Sequence, residues 1–158
     1  MTDTNSATRV IEASANEIFA LLSDPSRHAE TDNSGMVVSA DTDAKLEKVG
    51  DVFVMNMTKE DGEYQTRNEV FAFQENKVIG WQNLKNLTAD VEVGAKWLYE
   101  LASEGNDRTS VTLTYDRSEI ESDAVRKMSE NFDDAAMEES LAALASALDG
   151  TDNPTQKS

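Results

Sequence analysis

Few residues in this 158-residue chain are equipped for covalent or acid–base chemistry. It has no cysteine and a single histidine, His28. Thiol nucleophiles are therefore excluded, and an activated serine or threonine would need that one imidazole as its base. His28 stands in the run Asp24-Pro25-Ser26-Arg27-His28, just after the first helical pattern. There it is placed either to serve as a base at a cavity mouth or to hydrogen-bond within its own loop. One histidine without cysteine falls short of a zinc ligand set. The acidic pairs Asp41/Asp43 and Asp133/Asp134 lack the spacing of a calcium loop. No metal site and no cofactor are expected. What remains is polar chemistry without a nucleophile: the amide of Asn68 and the hydroxyls of Tyr99 and Tyr115, which suit an oxygenated ligand.

Strand periodicity positions these groups. Between Tyr64 and Phe73, Tyr64, Thr66, Asn68 and Val70 share one face, and a buried amide there needs partners from the protein or from a ligand carbonyl. Val91 to Leu101 reads as one alternating strand with Ala95, Trp97, Tyr99 and Leu101 on one side. The last strand sets Val111, Leu113 and Tyr115 opposite Ser110, Thr112 and Thr114. Phe53, Met55 and Met57 alternate with Val52, Val54 and Asn56, and Ile79 pairs with Trp81. This apolar set reads equally as packed core and as cavity wall, and flexible thioethers suit an adaptable pocket.

Helices are signalled at both ends. Ser14 to Glu17 is a Ser-x-x-Glu capping box before Ile18, Phe19, Leu21 and Leu22. Ser26 to Glu30 fits a second short turn of helix, and Ser118 to Glu121 reads as a second box that opens a final helical region. In that region Val125, Met128, Phe132, Ala135/Ala136, Met137, Leu141, Leu144 and Leu148 follow the helical spacing of three and four. Uninterrupted, it would run roughly 43 Å. That is long for a domain of this size, so the polar residues around Phe132 predict a break near 129–133. Met128 and Phe132 are expected to flank a portal there, with Asp24–Gly35 as the other weak segment.

Charge and composition narrow the function classes. With 31 acidic against 14 basic residues the net charge is −17, which repels phosphate backbones and anionic lipid surfaces. No nucleic-acid partner is expected, and no apolar run is long enough to insert in a membrane. The expected organisation is one domain over residues 1–149 with a disordered tail at 150–158, monomeric and cytoplasmic.

The order is a strand, one or two short helices, about six antiparallel strands and a terminal helix. The strings carrying it are IEASANEIFALLSDPSRHAETDNSG (11–35), VGDVFVMNM (49–57), YQTRNEVFAFQENKVIGWQ (64–82), GAKWLYEL (94–101), TSVTLTYDRS (109–118) and MEESLAALASAL (137–148). In these strings the chain resembles the START-like (SRPBCC) superfamily, and within it the polyketide cyclase/dehydrase and lipid-transport branch. The resemblance implies an α+β helix-grip fold: a curved antiparallel sheet of about seven strands around a long C-terminal helix. It also implies a cavity for a hydrophobic, partly oxygenated small molecule, either a polyketide-like aromatic or a lipid. The ligand-binding residues then expected are Phe53, Met55, Met57, Asn68, Trp81, Trp97, Tyr99, Tyr115, Met128 and Phe132. A cyclase/dehydratase-type enzyme using the same cavity, and a protein-interaction module, are the alternatives. Arg67 points outward by alternation and Arg9 and Arg117 lie at strand ends, which argues against recognition of a carboxylate.

Overall fold

A computed structural model describes residues 4–24, 37–40, 45–59 and 62–149. His28, the expected helical turn at 26–30, most of the Asp24–Gly35 segment and the expected tail at 150–158 lie outside the described residues. The elements in chain order are β1 (Thr4–Ile11), α1 (Ala15–Leu22), β2 (Val37–Ala40), β3 (Val52–Lys59), β4 (Gly62–Gln74), β5 (Val78–Asn86), β6 (Val91–Glu92), β7 (Lys96–Gly105), β8 (Arg108–Asp116), α2 (Asp123–Ser129) and α3 (Asp134–Asp149). Seven strands form one curved antiparallel path, β1-β8-β7-β5-β4-β3-β2, and the two-residue β6 pairs with β5 beside it. The helix-grip architecture is thus present.

The local reasons follow from the sequence. Ser14 Oγ accepts from the Glu17 backbone N–H while the Glu17 carboxylate accepts from the Ser14 backbone, a complete capping box for α1. The helix buries Ile18, Phe19, Leu21 and Leu22, and the Phe19 ring meets Phe73 edge-on at 5.2 Å. The terminal helical region does break, α2 ending at Ser129 and α3 beginning at Asp134. α3 lies mainly across β1 and β8 and buries Met137, Leu141, Leu144 and Ala145.

Two local readings are corrected. Ser118 does not open a helix: its backbone N–H is bonded to Asp116 Oδ1, and α2 starts later with Ser122 as its cap. The string Val91–Leu101 is not one strand either. Gly94 adopts φ +100°, separating β6 from β7, and its N–H turns to bond Asn83 O at 2.7 Å. Side-chain alternation from Ala95 to Leu101 survives, with Ala95, Tyr99 and Leu101 buried and Trp97 half-buried.

Candidate functional site

Strand register gathers most of the expected site on the inner face of the sheet. Residues opposite one another in antiparallel strands point to the same side. One row runs Phe53–Asn68–Asn83 across β3, β4 and β5, reaching Ala95 through the Asn83 N–H to Ala95 O bond. The next runs Val70–Trp81–Trp97–Tyr115 across β4, β5, β7 and β8, and a third sets Phe73, Ile79, Tyr99 and Leu113 in line. Met55 lies opposite Thr66, and Met57 opposite Tyr64.

Aromatic rings make these rows continuous. Phe53 meets Trp81 edge-on at 5.9 Å, and Trp81 lies 5.7 Å from Tyr99. Trp97 meets Tyr115 at 4.6 Å, and Phe132 closes a triangle with them at 5.4 and 5.1 Å. Phe132 is half-buried in the α2–α3 joint and caps the aromatic face from above, whereas Met128 is 49 % exposed and stands outside the cluster.

Polar groups interrupt this face at few points. Asn68 is only 4 % exposed, and its amide Nδ2 donates long bonds to Thr66 O (3.3 Å) and Thr66 Oγ1 (3.4 Å). Directly opposite, Asn83 Oδ1 is buried and has no hydrogen-bond partner among the described residues. Asn83 was absent from the expected site. The signal was present, since carrying the Ile79–Trp81 alternation two residues further reaches it.

Arg117 is the larger departure. It does follow a strand end, yet it is buried. Its Nε donates to Ser129 Oγ (3.2 Å), and its Nη2 donates to the carbonyls of Ser129 (3.1 Å) and Phe132 (3.0 Å). The guanidinium also lies over the Tyr115 ring at 5.3 Å. Arg117 therefore fastens the α2–α3 joint, and with it Phe132, to the end of β8.

Burial pushes the Tyr115 phenol up to about 12, opposed in part by the Arg117 charge and a hydrogen bond with Ser129. A phenol whose folded pKa lies above its unfolded value near 10 is protonated in both states at lower pH. Its contribution is therefore lost as pH rises between about 10 and about 12. Wild-type stability is expected to fall more steeply across that window than that of Tyr115→Phe, and the extra tyrosinate absorbance of the wild type should appear near its upper end. A difference titration centred on the ordinary phenol value would refute this.

Outside the face, a pocket of about 360 Å³ lies between α1 and the β4–β5 turn, lined by Phe19, Ser23, Lys45, Leu46, Phe73 and Asn76 among others. It shares no residue with the expected site. Among the described residues no group of histidine, aspartate or glutamate is arranged to hold a metal ion, and no helix is long and apolar enough to cross a membrane.

Comparison with known proteins fits this fold. An uncharacterized protein of Mycobacterium tuberculosis, Rv0088, is 33% identical over 107 residues, a match covering 67% of this chain. The chain spans 44% of that relative's length. Among solved structures, DynU16, a protein of the dynemicin biosynthetic locus, is similar with a TM-score of 0.65 at 14% identity, covering 96% of this chain and 49% of DynU16. The Aha1 dimer of Colwellia psychrerythraea is similar with a TM-score of 0.59 at 17% identity, covering 92% and 95%. The family described as Activator of Hsp90 ATPase homolog 1-like protein matches residues 12–149. With that match spanning nearly the whole sheet and both terminal helices, the chain belongs to the Activator of Hsp90 ATPase homolog 1-like family, within the START-like superfamily.

Proposed function

We propose that this protein binds a hydrophobic, partly oxygenated small molecule, a polyketide-like aromatic or a lipid, against the inner face of its sheet. One observation carries the reading: two runs of rings on one face, Phe53 through Trp81 to Tyr99 and Trp97 with Tyr115 and Phe132, interrupted by the under-bonded amides Asn68 and Asn83. Aromatic rings supply broad apolar contact, and a few polar atoms among them fix a ligand's orientation. Titrating flavonoids, tetracycline-like aromatics and fatty acids while following amide and indole resonances tests it. Shifts are expected at the indoles of Trp81 and Trp97. Shifts confined to exposed loops, or none with any compound, would overturn the reading. Product formed from an added polyketide chain would turn the binder into a cyclase-type enzyme.

A second reading has its own support, the family's description as Activator of Hsp90 ATPase homolog 1-like and the likeness to an Aha1 dimer. On that reading the same fold grips a protein partner. Native mass spectrometry of the protein purified from its own host separates the two, a bound small molecule favouring the first and a bound polypeptide the second.

A further inference from the structure

The polar interruption of the aromatic face has a defined chemistry. Asn68 and Asn83 are direct cross-strand partners, so their β-carbons lie about 5 Å apart. Two amides at that distance can bond to each other, yet these do not. Asn68 turns its Nδ2 back to Thr66 through two long contacts, and Asn83 Oδ1 is left buried without a donor among the described residues. Buried polar atoms are nearly always satisfied. The surroundings are apolar, with Phe53 beside Asn68 on β3 and Trp81 two residues before Asn83 on β5.

An acceptor lacking a donor, facing a donor held only loosely, fits one small group that both gives and takes a hydrogen bond. We infer that Asn83 and Asn68 read a hydroxyl on the bound molecule, Asn83 Oδ1 accepting its proton and Asn68 Nδ2 donating to its oxygen. The ligand class is thereby narrowed from partly oxygenated to hydroxylated, phenols and alcohols in preference to ethers, esters or bare hydrocarbons. This inference rests on the proposed binding function and specifies the selectivity of the same site. An internal water on the two amides is the competing occupant, since water needs several polar partners and Asn68, Asn83 and Thr66 would supply them.

A matched pair of probes separates these outcomes. 2-Naphthol and 2-fluoronaphthalene are close in size, and only the first carries a donor. Their dissociation constants are read from quenching of Trp81 and Trp97 fluorescence, for the wild type and for Asn83→Leu, with Asn83→Ala as a second variant and circular dichroism to confirm folding of each. The wild type is expected to hold the naphthol about tenfold tighter, as suits the modest net gain of a pair of hydrogen bonds in a buried site. Either variant should bring the two probes within about twofold by weakening the naphthol alone. Equal wild-type affinities would mean that the amides hold water or serve only the fold, and a tenfold preference surviving in both variants would mean that the hydroxyl is read elsewhere. Each of these results overturns the inference while leaving the binding function intact. No quenching by either probe would overturn both.

Discussion

Replacing Gly94 by alanine is expected to remove about 2–6 kcal/mol of folding stability, measured by urea denaturation. Two independent penalties add at this position. The φ of +100° costs a residue with a β-carbon about 1–3 kcal/mol. The added carbon would lie 2.7 Å from Glu119 O and 3.1 Å from Glu119 C, backbone atoms that cannot swing aside as a side chain would. Forced overpacking of this kind costs about 1–3 kcal/mol more. Gly50→Ala is the internal control, because it shares the backbone conformation at φ +99° and would meet nothing within 4 Å. It should lose only the first penalty. Equal losses in the two variants would show that the connection at Glu119 relaxes freely. Such freedom is opposed by the Lys96–Glu119 ion pair and by Gln82 Nε2, which donates to both Gly94 O (3.1 Å) and Glu119 Oε1 (3.2 Å).

Arg117→Met should cost about 3 kcal/mol. Methionine keeps much of the length and apolar stem of arginine, so the change isolates the guanidinium. Its loss removes three charge-assisted hydrogen bonds; Ser129 O keeps the Phe132 N–H and Ser129 Oγ keeps its bond to Arg126 O, so the Phe132 carbonyl is the group that loses its donor, at about 1–3 kcal/mol. Arg117→Lys should recover little of this, because an ammonium cannot span the three acceptors with a planar fork. The emission of Trp97 should shift in both variants, since the clamp holds Phe132 on that indole. A loss under about 1 kcal/mol with unchanged emission would mean that the joint is held by α3 packing alone.

These two residues mark the limit of what the sequence made legible. Strand faces were readable because period-two alternation is a property of the local string, and Phe53, Met55, Asn68, Trp81, Trp97, Tyr99 and Tyr115 do share one face of the sheet. The first capping box and the break before α3 were likewise written locally. The box expected at Ser118 failed because an identical four-residue pattern is equally satisfied by a turn on Asp116, and only the path of the chain decides. Arg117 gave no signal at all. A buried arginine looks like any surface arginine until tertiary structure brings three acceptors around it. The strand break at Gly94 was marked by the glycine itself, whose positive φ was masked by the regular pattern on either side.

Asp134 has a consequence for the order in which the molecule is assembled. Its Oδ1 accepts both the Asn5 side-chain amide and the Ser6 backbone N–H, the latter across 128 residues of sequence. Strand β1 also takes its sheet neighbour from the last strand in sequence, Thr4 opposite Asp116. At a ribosomal rate of about 5–20 residues per second, β1 waits roughly ten seconds for β8 to be synthesised. Over that interval its hydrogen-bonding edge has no native partner, the condition under which strands of neighbouring nascent chains pair wrongly. Closure of the sheet is therefore a late, long-range event, and such topologies fold in milliseconds to seconds rather than microseconds. The strong net negative charge acts in this interval, keeping incomplete chains apart until α3 arrives to lock the first strand to the last.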